Sequence, residues 1–262
     1  MKKLAFSVFA AALTFGANAA DDVEVAAASE SCCGYDGFYF GMGIAATDSG
    51  VKTETTYAYG QDSSGNVGTL SDDFGVDTND HDTRFIGSLT LGYGKRIKER
   101  AYLGLEAGLD AGKNSNFVHA GMYSVNGKTF EVQSRQNGLV PSVALKLGYV
   151  HPGTRGMVYL KAGAAYSKAK TDYTDWDVVA NKVFPYNGSC SKWAPIVALG
   201  GEKLCGKNIR TRLEVEYRFG ANKKFDFNNG VTDGVGDYRG TVKLTSKDAI
   251  TLRAMAVYTV KM

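Results

Sequence analysis

The chain has 262 residues and a formal charge of +3, which falls to about +1 if Lys2 and Lys3 leave with a leader. So small an imbalance gives no reason to expect nucleic acid as a partner. Glycine (32) and tyrosine (15) are plentiful and proline (4) and histidine (3) scarce. Past the leader, no apolar run approaches the ~20 residues that a spanning helix needs.

MKKLAFSVFAAALTFGANAA opens with two lysines, continues apolar from Leu4 to Leu13, and reaches Ala17-Asn18-Ala19. That order reads as a secretory signal peptide over 1–19, with cleavage near Ala19. Residues 20–36 are small and acidic and read as a lead-in tail, and 37–262 as one barrel domain.

The first strand is expected over Gly37 to Ala46, with Phe38, Phe40, Met42, Ile44 and Ala46 on one face. Gly37, Tyr39, Gly41, Gly43 and Ala45 take the other. Gly41-x-Gly43-x-x-Ala46 loosely matches a dinucleotide fingerprint, but no helical segment follows, so interior glycines of a narrow barrel are the better reading. Thr47 to Asp82 is polar and reads as a loop. The second strand carries Phe85, Leu89, Leu91 and Tyr93 outward and Arg84, Ser88 and Thr90 inward. A short turn around Arg96 to Glu99 leads to the third, with Tyr102, Glu106 and Asp110 inward.

Lys113 to Asn137 reads as a loop, and the fourth strand follows with Leu139, Val143, Leu145, Leu147 and Tyr149 out and Lys146 in. After a short turn at His151 to Thr154, the fifth turns Val158, Leu160 and Tyr166 outward and Tyr159 and Lys161 inward. Lys168 to Ser191 is again loop-like, before a sixth strand with Trp193, Val197 and Leu199 out and Glu202 in. A turn around Cys205 to Asn208 is followed by IRTRLEVEYRF, the plainest alternation in the chain. Ile209, Leu213, Val215, Tyr217 and Phe219 share one face; Arg210, Arg212, Glu214, Glu216 and Arg218 share the other. Gly220 to Ser246 is a last loop, and the eighth strand alternates Ile250, Leu252, Ala254, Ala256 and Tyr258 with Thr251, Arg253 and Thr259.

Connections thus run long, short, long, short, long, short, long. That segregation, with eight alternating strands and no helix to cover a sheet, predicts an all-β fold. The expected form is an eight-stranded antiparallel up-and-down transmembrane barrel with long extracellular loops and short periplasmic turns. Tyr93 and Tyr149 near one rim, and Phe85, Tyr166, Trp193 and Phe219 near the other, fit two aromatic girdles.

GFYFGMGIA, PIVALGGE and RLEVEYRF before a final alternating strand resemble the small OmpA-like and opacity-protein group of outer-membrane barrels. The resemblance covers Gly37 to Met262. It implies a Gram-negative outer membrane, with its lipid and lipopolysaccharide, the barrel-assembly machinery and a surface ligand of the loops as partners. The group holds adhesins, lipid-modifying enzymes and structural proteins, so the resemblance names an architecture rather than an activity.

Twelve charges point inward: Arg84, Glu106, Asp110, Lys146, Lys161, Glu202, Arg210, Arg212, Glu214, Glu216, Arg218 and Arg253. Buried charges need partners, so mixed signs predict a plugged, cross-linked interior of structural purpose; the alternative is a thin small-solute channel. A lipid- or peptide-processing enzyme is the other alternative. His81, within Asn79-Asp80-His81-Asp82, is the one histidine suited to rim catalysis, while His119 lies within a loop and His151 in a turn. No serine nucleophile motif accompanies it, and the chain reads as a non-enzyme without cofactor. Asp72, Asp73, Asp77, Asp80 and Asp82 lack calcium-loop spacing, so no metal site is expected.

The sixth strand separates Cys190 from Cys205 by roughly 45–50 Å, beyond any disulfide. Cys205 is left to Cys32 or Cys33, which alternatively pair loosely or with another chain. A structural or adhesin-like surface role is the resulting expectation. Protease added to intact cells is expected to cut within Thr47–Asp82 or Gly220–Ser246 and to spare Arg155 and Lys207. Cleavage at either of those two in sealed cells would reverse the orientation.

Overall fold

The computed structural model describes residues 34–59, 78–97, 100–113, 115–123, 128–136, 138–151, 155–177, 182–229 and 238–260. The signal peptide, Cys32, Cys33, Asp72, Asp73 and Asp77 lie outside them.

Twelve strands follow one another: β1 (Gly37–Tyr59), β2 (Thr78–Arg96), β3 (Ala101–Ala111), β4 (Ser115–Tyr123), β5 (Lys128–Gln136) and β6 (Leu139–His151), then β7 (Gly156–Asp177), β8 (Lys182–Leu204), β9 (Ile209–Arg218), β10 (Ala221–Asn229), β11 (Tyr238–Ser246) and β12 (Ala249–Val260). Eight of them, in the order β1-β2-β3-β6-β7-β8-β9-β12, form a ring of antiparallel pairs that closes where β1 meets β12, from Phe38 opposite Val260 to Asp48 opposite Ile250. Closure leaves no strand edge in the ring, which is the condition for backbone to sit in hydrocarbon.

Which face points where follows directly from the alternation. On β9 the burial pattern alternates along its length, Arg210, Arg212, Glu214, Glu216 and Arg218 being buried. Outside, Phe85 is 81% exposed and Ile44 68%, while inside Arg210 is 0%. A water-soluble barrel would be built the other way round. Apolar outside and ionic inside is the arrangement of a barrel with lipid around it.

The exposed apolar belt is bordered by aromatics at both levels. Phe38 packs on Tyr93 (4.9 Å between ring centroids) and Phe40 on Tyr258 (5.4 Å) at the short-turn end. Tyr166 packs on Trp193 (5.6 Å) and Tyr217 on Phe219 (5.0 Å) at the other. From Phe85 to Tyr93 the strand rises about 26 Å, or about 20 Å along the axis at a tilt of ~40°. That matches the apolar band of a membrane barrel, ~25 Å.

The long connections differ from expectation. The described residues of Thr47–Asp82, Lys113–Asn137, Lys168–Ser191 and Gly220–Ser246 are mostly strand rather than loop. β1 and β2 stay paired up to Thr53 opposite Thr78, β7 and β8 up to Asp177 opposite Lys182, and the hairpins β4–β5 and β10–β11 flank them on β7 and β1. The reason is physical. Above the membrane both faces can be wet, so the alternation of apolar and polar residues stops although the strands continue, carried by Thr and Tyr. Where the lower wall passes to the upper one, Gly112 N donates to Gly138 O (2.9 Å) and Gly220 N to Asp248 Oδ1 (2.7 Å).

The end of the lead-in segment differs as well. Tyr35 is fully buried in the short-turn mouth, its hydroxyl donating to Arg155 O at 2.9 Å, and Thr259 Oγ1 donates to Gly34 O at 3.0 Å. Asp36 accepts from Arg96 N at 2.8 Å and pairs with its guanidinium at 3.2 Å. The packed unit therefore includes Gly34 and Tyr35, because a buried tyrosine with a hydroxyl partner is worth anchoring.

β1 and β12 approach closely at Gly43. A methyl there would lie 2.1 Å from Ala254 O and 2.7 Å from Met255 Cα, whereas at Gly87 the nearest atom is Ala111 O at 3.7 Å. Gly43→Ala is expected to destabilise the barrel by about 1–3 kcal/mol in a urea unfolding titration, with Gly87→Ala close to neutral. Equal effects would mean that β1 and β12 are not packed this closely.

Candidate functional site: the charged barrel interior

The interior begins from a conflict. Lys146 on β6 and Lys161 on β7 are directly opposite one another, and like charges so placed repel. Each is resolved by reaching past the neighbouring strand to the next one. Lys146 forms an ion pair with Glu202 of β8, both fully buried. Lys161 meets Glu214 at 2.6 Å, Glu106 at 3.4 Å and Glu216 at 3.5 Å.

β9 supplies the remaining framework. Arg210 Nη1 reaches Glu202 Oε2 at 2.8 Å, and Arg212 Nε reaches Glu202 Oε1 at 2.7 Å. Arg212 Nη1 then meets Glu106 Oε2 at 2.7 Å. Glu106 sits on β3, which stands four places from β9 in either direction around the ring, so this pair spans the lumen. On the long-connection side, Arg253 of β12 holds Asp110 at 2.6 Å, Glu214 at 3.0 Å and Glu216 at 2.9 Å, and Ser88 donates to Asp110. Ten of the twelve inward charges of the sequence reading are thus brought together.

Two are not. Arg84 is half-buried and donates to Lys113 O at 3.2 Å. Arg218 is buried near the long-connection end and has no ion pair with a described residue.

Tyrosines complete the filling, and only three of the four had a sequence signal. Tyr39, Tyr102 and Tyr159 occupy inward positions of their strands; Tyr35 precedes the first strand, where no periodicity applies. Tyr39 Oη donates to Glu106 at 3.0 Å and Tyr159 Oη to Glu214 at 2.7 Å. Lys146 Nζ lies 3.8 Å from the Tyr159 ring centroid, 5.6 Å from Tyr39 and 5.7 Å from Tyr102, so its ammonium is surrounded by π faces as well as paired. Arg210 lies between Tyr35 (5.2 Å) and Tyr39 (5.0 Å), and its Nε and Nη2 have no hydrogen-bond acceptor. Ring faces stand there in place of carboxylates. Room for these rings comes from glycines. A methyl on Gly92 would lie 2.5 Å from Tyr39 Oη, and one on Gly200 2.4 Å from Tyr159 Oη.

The arrangement holds its charges in pairs. Apart from Arg84 and Arg218, each inward charge is committed to one of opposite sign or to a ring face. His81 is in β2 opposite Gly50, but its side chain and that of His119 lie outside the described residues. His151 is exposed at the end of β6. Cys190 is buried beside Ala169 within β8, and Cys205 is exposed just past Leu204, so β8 runs between them. Cys32 and Cys33, the partners expected for Cys205, lie outside the described residues.

No family model matches the chain, and no curated protein matches it. Among solved structures it is similar to the outer membrane protein OprG from Pseudomonas aeruginosa, at 13% identity and a TM-score of 0.45 over 86% of this chain and 98% of that one. It is similar to the outer membrane protease OmpT from Escherichia coli, at 13% and 0.46 over 86% and 97%. Ail, the attachment invasion locus protein of Yersinia pestis, gives 11% and 0.34 over 82% and 99%. The roles in those names belong to those proteins.

Glu202 is the acid whose loss the network can least absorb, because Lys146 and Arg210 have no other carboxylate and only Arg212 keeps Glu106. Glu202→Gln is expected to cost about 3–5 kcal/mol in a urea titration followed by gel mobility. Adding Lys146→Met should recover part of that, since one stranded cation is removed. A double variant no more stable than Glu202→Gln alone would count against the pairing.

Proposed function

We propose that the protein is an outer-membrane barrel whose interior is closed by paired charges and whose role is structural and surface-interactive. One observation carries this reading: the Glu106–Arg212 pair spans the lumen at 2.7 Å, flanked by the clusters around Glu202 and Arg253. An eight-stranded barrel is only wide enough for its own side chains, and these are locked to one another. The interior acts as a brace, and it offers no permeating solute a path free of ion pairs. Display falls to the walls and connections at the long-connection end, where β4, β5, β10 and β11 extend the barrel beyond the apolar belt. Surface ligands, lipopolysaccharide and the assembly machinery are the partners this reading calls for, and it assigns the chain no catalysis.

Planar bilayers discriminate this scaffold from a small-solute channel. Wild type is expected to give no steady conductance, and Glu106→Ala with Arg212→Ala to give steps. Conductance in wild type that shifts with Glu214→Gln or Arg212→Gln would replace the scaffold by a channel. A whole-cell binding screen comparing the intact chain with one trimmed between 60 and 77 and between 230 and 237 then identifies what the displayed end binds.

A further inference from the structure

Among the described residues, the exposed charges at the short-turn end of the barrel are of one sign. Lys95, Arg100, Arg155, Lys203 and Lys207 are all exposed there. The carboxylate described at that end outside the lumen, Asp36, is taken by Arg96. The opposite end is mixed, with Lys113, Lys170 and Lys192 exposed but Asp48, Asp82 and Asp248 among them.

Position matters more than number. Lys95 and Lys203 continue the lipid-facing columns of their strands, two residues past Tyr93 and Gly201, so their stems leave the apolar belt and their ammoniums reach headgroup level. Lys203 is cross-strand from Gly156 on one side and from Thr211, also exposed, on the other. Arg155 directly precedes Gly156. Its backbone is fixed in the left-handed region (φ 51°), and its carbonyl accepts from Tyr35 Oη (2.9 Å) and Leu204 N (3.0 Å). Lys207 lies in the adjoining turn. Across the rim, Arg100 Nη1 donates to Tyr149 Oη at 3.3 Å, which joins a cation to a tyrosine of the apolar belt.

We infer that this rim binds the phosphate headgroups of anionic phospholipids in the leaflet at the short-turn end, with Arg155, Lys203 and Lys207 as the principal contacts. Cations held at the level where an apolar belt gives way to water attract anionic lipid, and Thr211 adds a neutral hydroxyl beside them. The inference rests on the membrane placement proposed above and not on the closed lumen.

The full-length protein, reconstituted in phosphatidylcholine vesicles, tests it with spin-labelled phosphatidylglycerol and spin-labelled phosphatidylcholine. The fraction of motionally restricted label is expected to favour phosphatidylglycerol severalfold at ~10 mM salt and less at ~500 mM. Arg155→Gln with Lys203→Gln and Lys207→Gln should bring the two lipids close to parity, with folding checked by heat-shifted gel mobility. Lys113→Gln with Lys170→Gln and Lys192→Gln should leave the preference in place. Parity in the wild type overturns the inference, as does loss of the preference only in the second variant. Displacement by glycerol phosphate in solution would make it a free-phosphate site instead and overturn it too. An absence of any restricted lipid would sink the membrane placement itself, which separates that failure from this one.

Discussion

Glu106 meeting Arg212 across the lumen is the contact on which the rest of the barrel depends. An isolated carboxylate or guanidinium in that space would cost several kcal/mol, so neither strand could hold its charge alone. Each further cation is tied to the same few acids: Lys161 shares Glu106 with Arg212, Arg212 shares Glu202 with Lys146 and Arg210, and Arg253 shares Glu214 with Lys161. The guanidinium fork lets one arginine serve acids on two strands, as Arg212 does with Glu106 and Glu202, which explains why arginine outnumbers lysine in the ring. The result is a brace that fixes the spacing of opposite walls.

Tyrosine does what carboxylates cannot. The interior cluster nearest the short-turn mouth has three cations, Lys146, Arg210 and Arg212, around Glu202 and a shared Glu106. The rings of Tyr35, Tyr39, Tyr102 and Tyr159 line that space. A π face attracts a cation without adding another charge to desolvate, and each ring also fills volume that glycine on the neighbouring strand leaves open. Tyr35 arrives from outside the strand pattern, which ties the segment before β1 to the turn between β6 and β7.

Much of this was legible in the sequence, and what was not has an identifiable cause. Period-two alternation gave the eight spanning strands, their faces and the inward charges, because lipid on one side and a lumen on the other enforce that period at every residue. The twelve inward charges could be named but not paired, since pairing depends on which strands stand opposite, and that follows from closure rather than from local spacing. Arg84 and Arg218 show the limit: both have the right parity, yet they stand toward the long-connection end, where the nearby Asp110 is already held by Arg253. The upper walls, β4, β5, β10 and β11 with the extensions of β1, β2, β7 and β8, were unreadable by the same logic. With water permitted on both faces, only Thr and Tyr content signals a strand.

The charged interior also answers why the lumen is not simply packed with leucine. An apolar lumen would make both faces of each strand alike, and a one-residue slip in register would then cost little. With arginine and glutamate at alternate positions of β9, the same slip carries five charges into the hydrocarbon and removes every ion pair that β9 makes. Near the midplane each arginine so displaced costs roughly 2–4 kcal/mol. Lys146 opposite Lys161 sharpens this further, because the two lysines are tolerable only when Glu202 and Glu214 arrive from β8 and β9 in the correct register. The ion pairs thus contribute less to net stability than to uniqueness: they make the correct register the one in which the charges of β9 stay out of the lipid and meet their partners across the lumen.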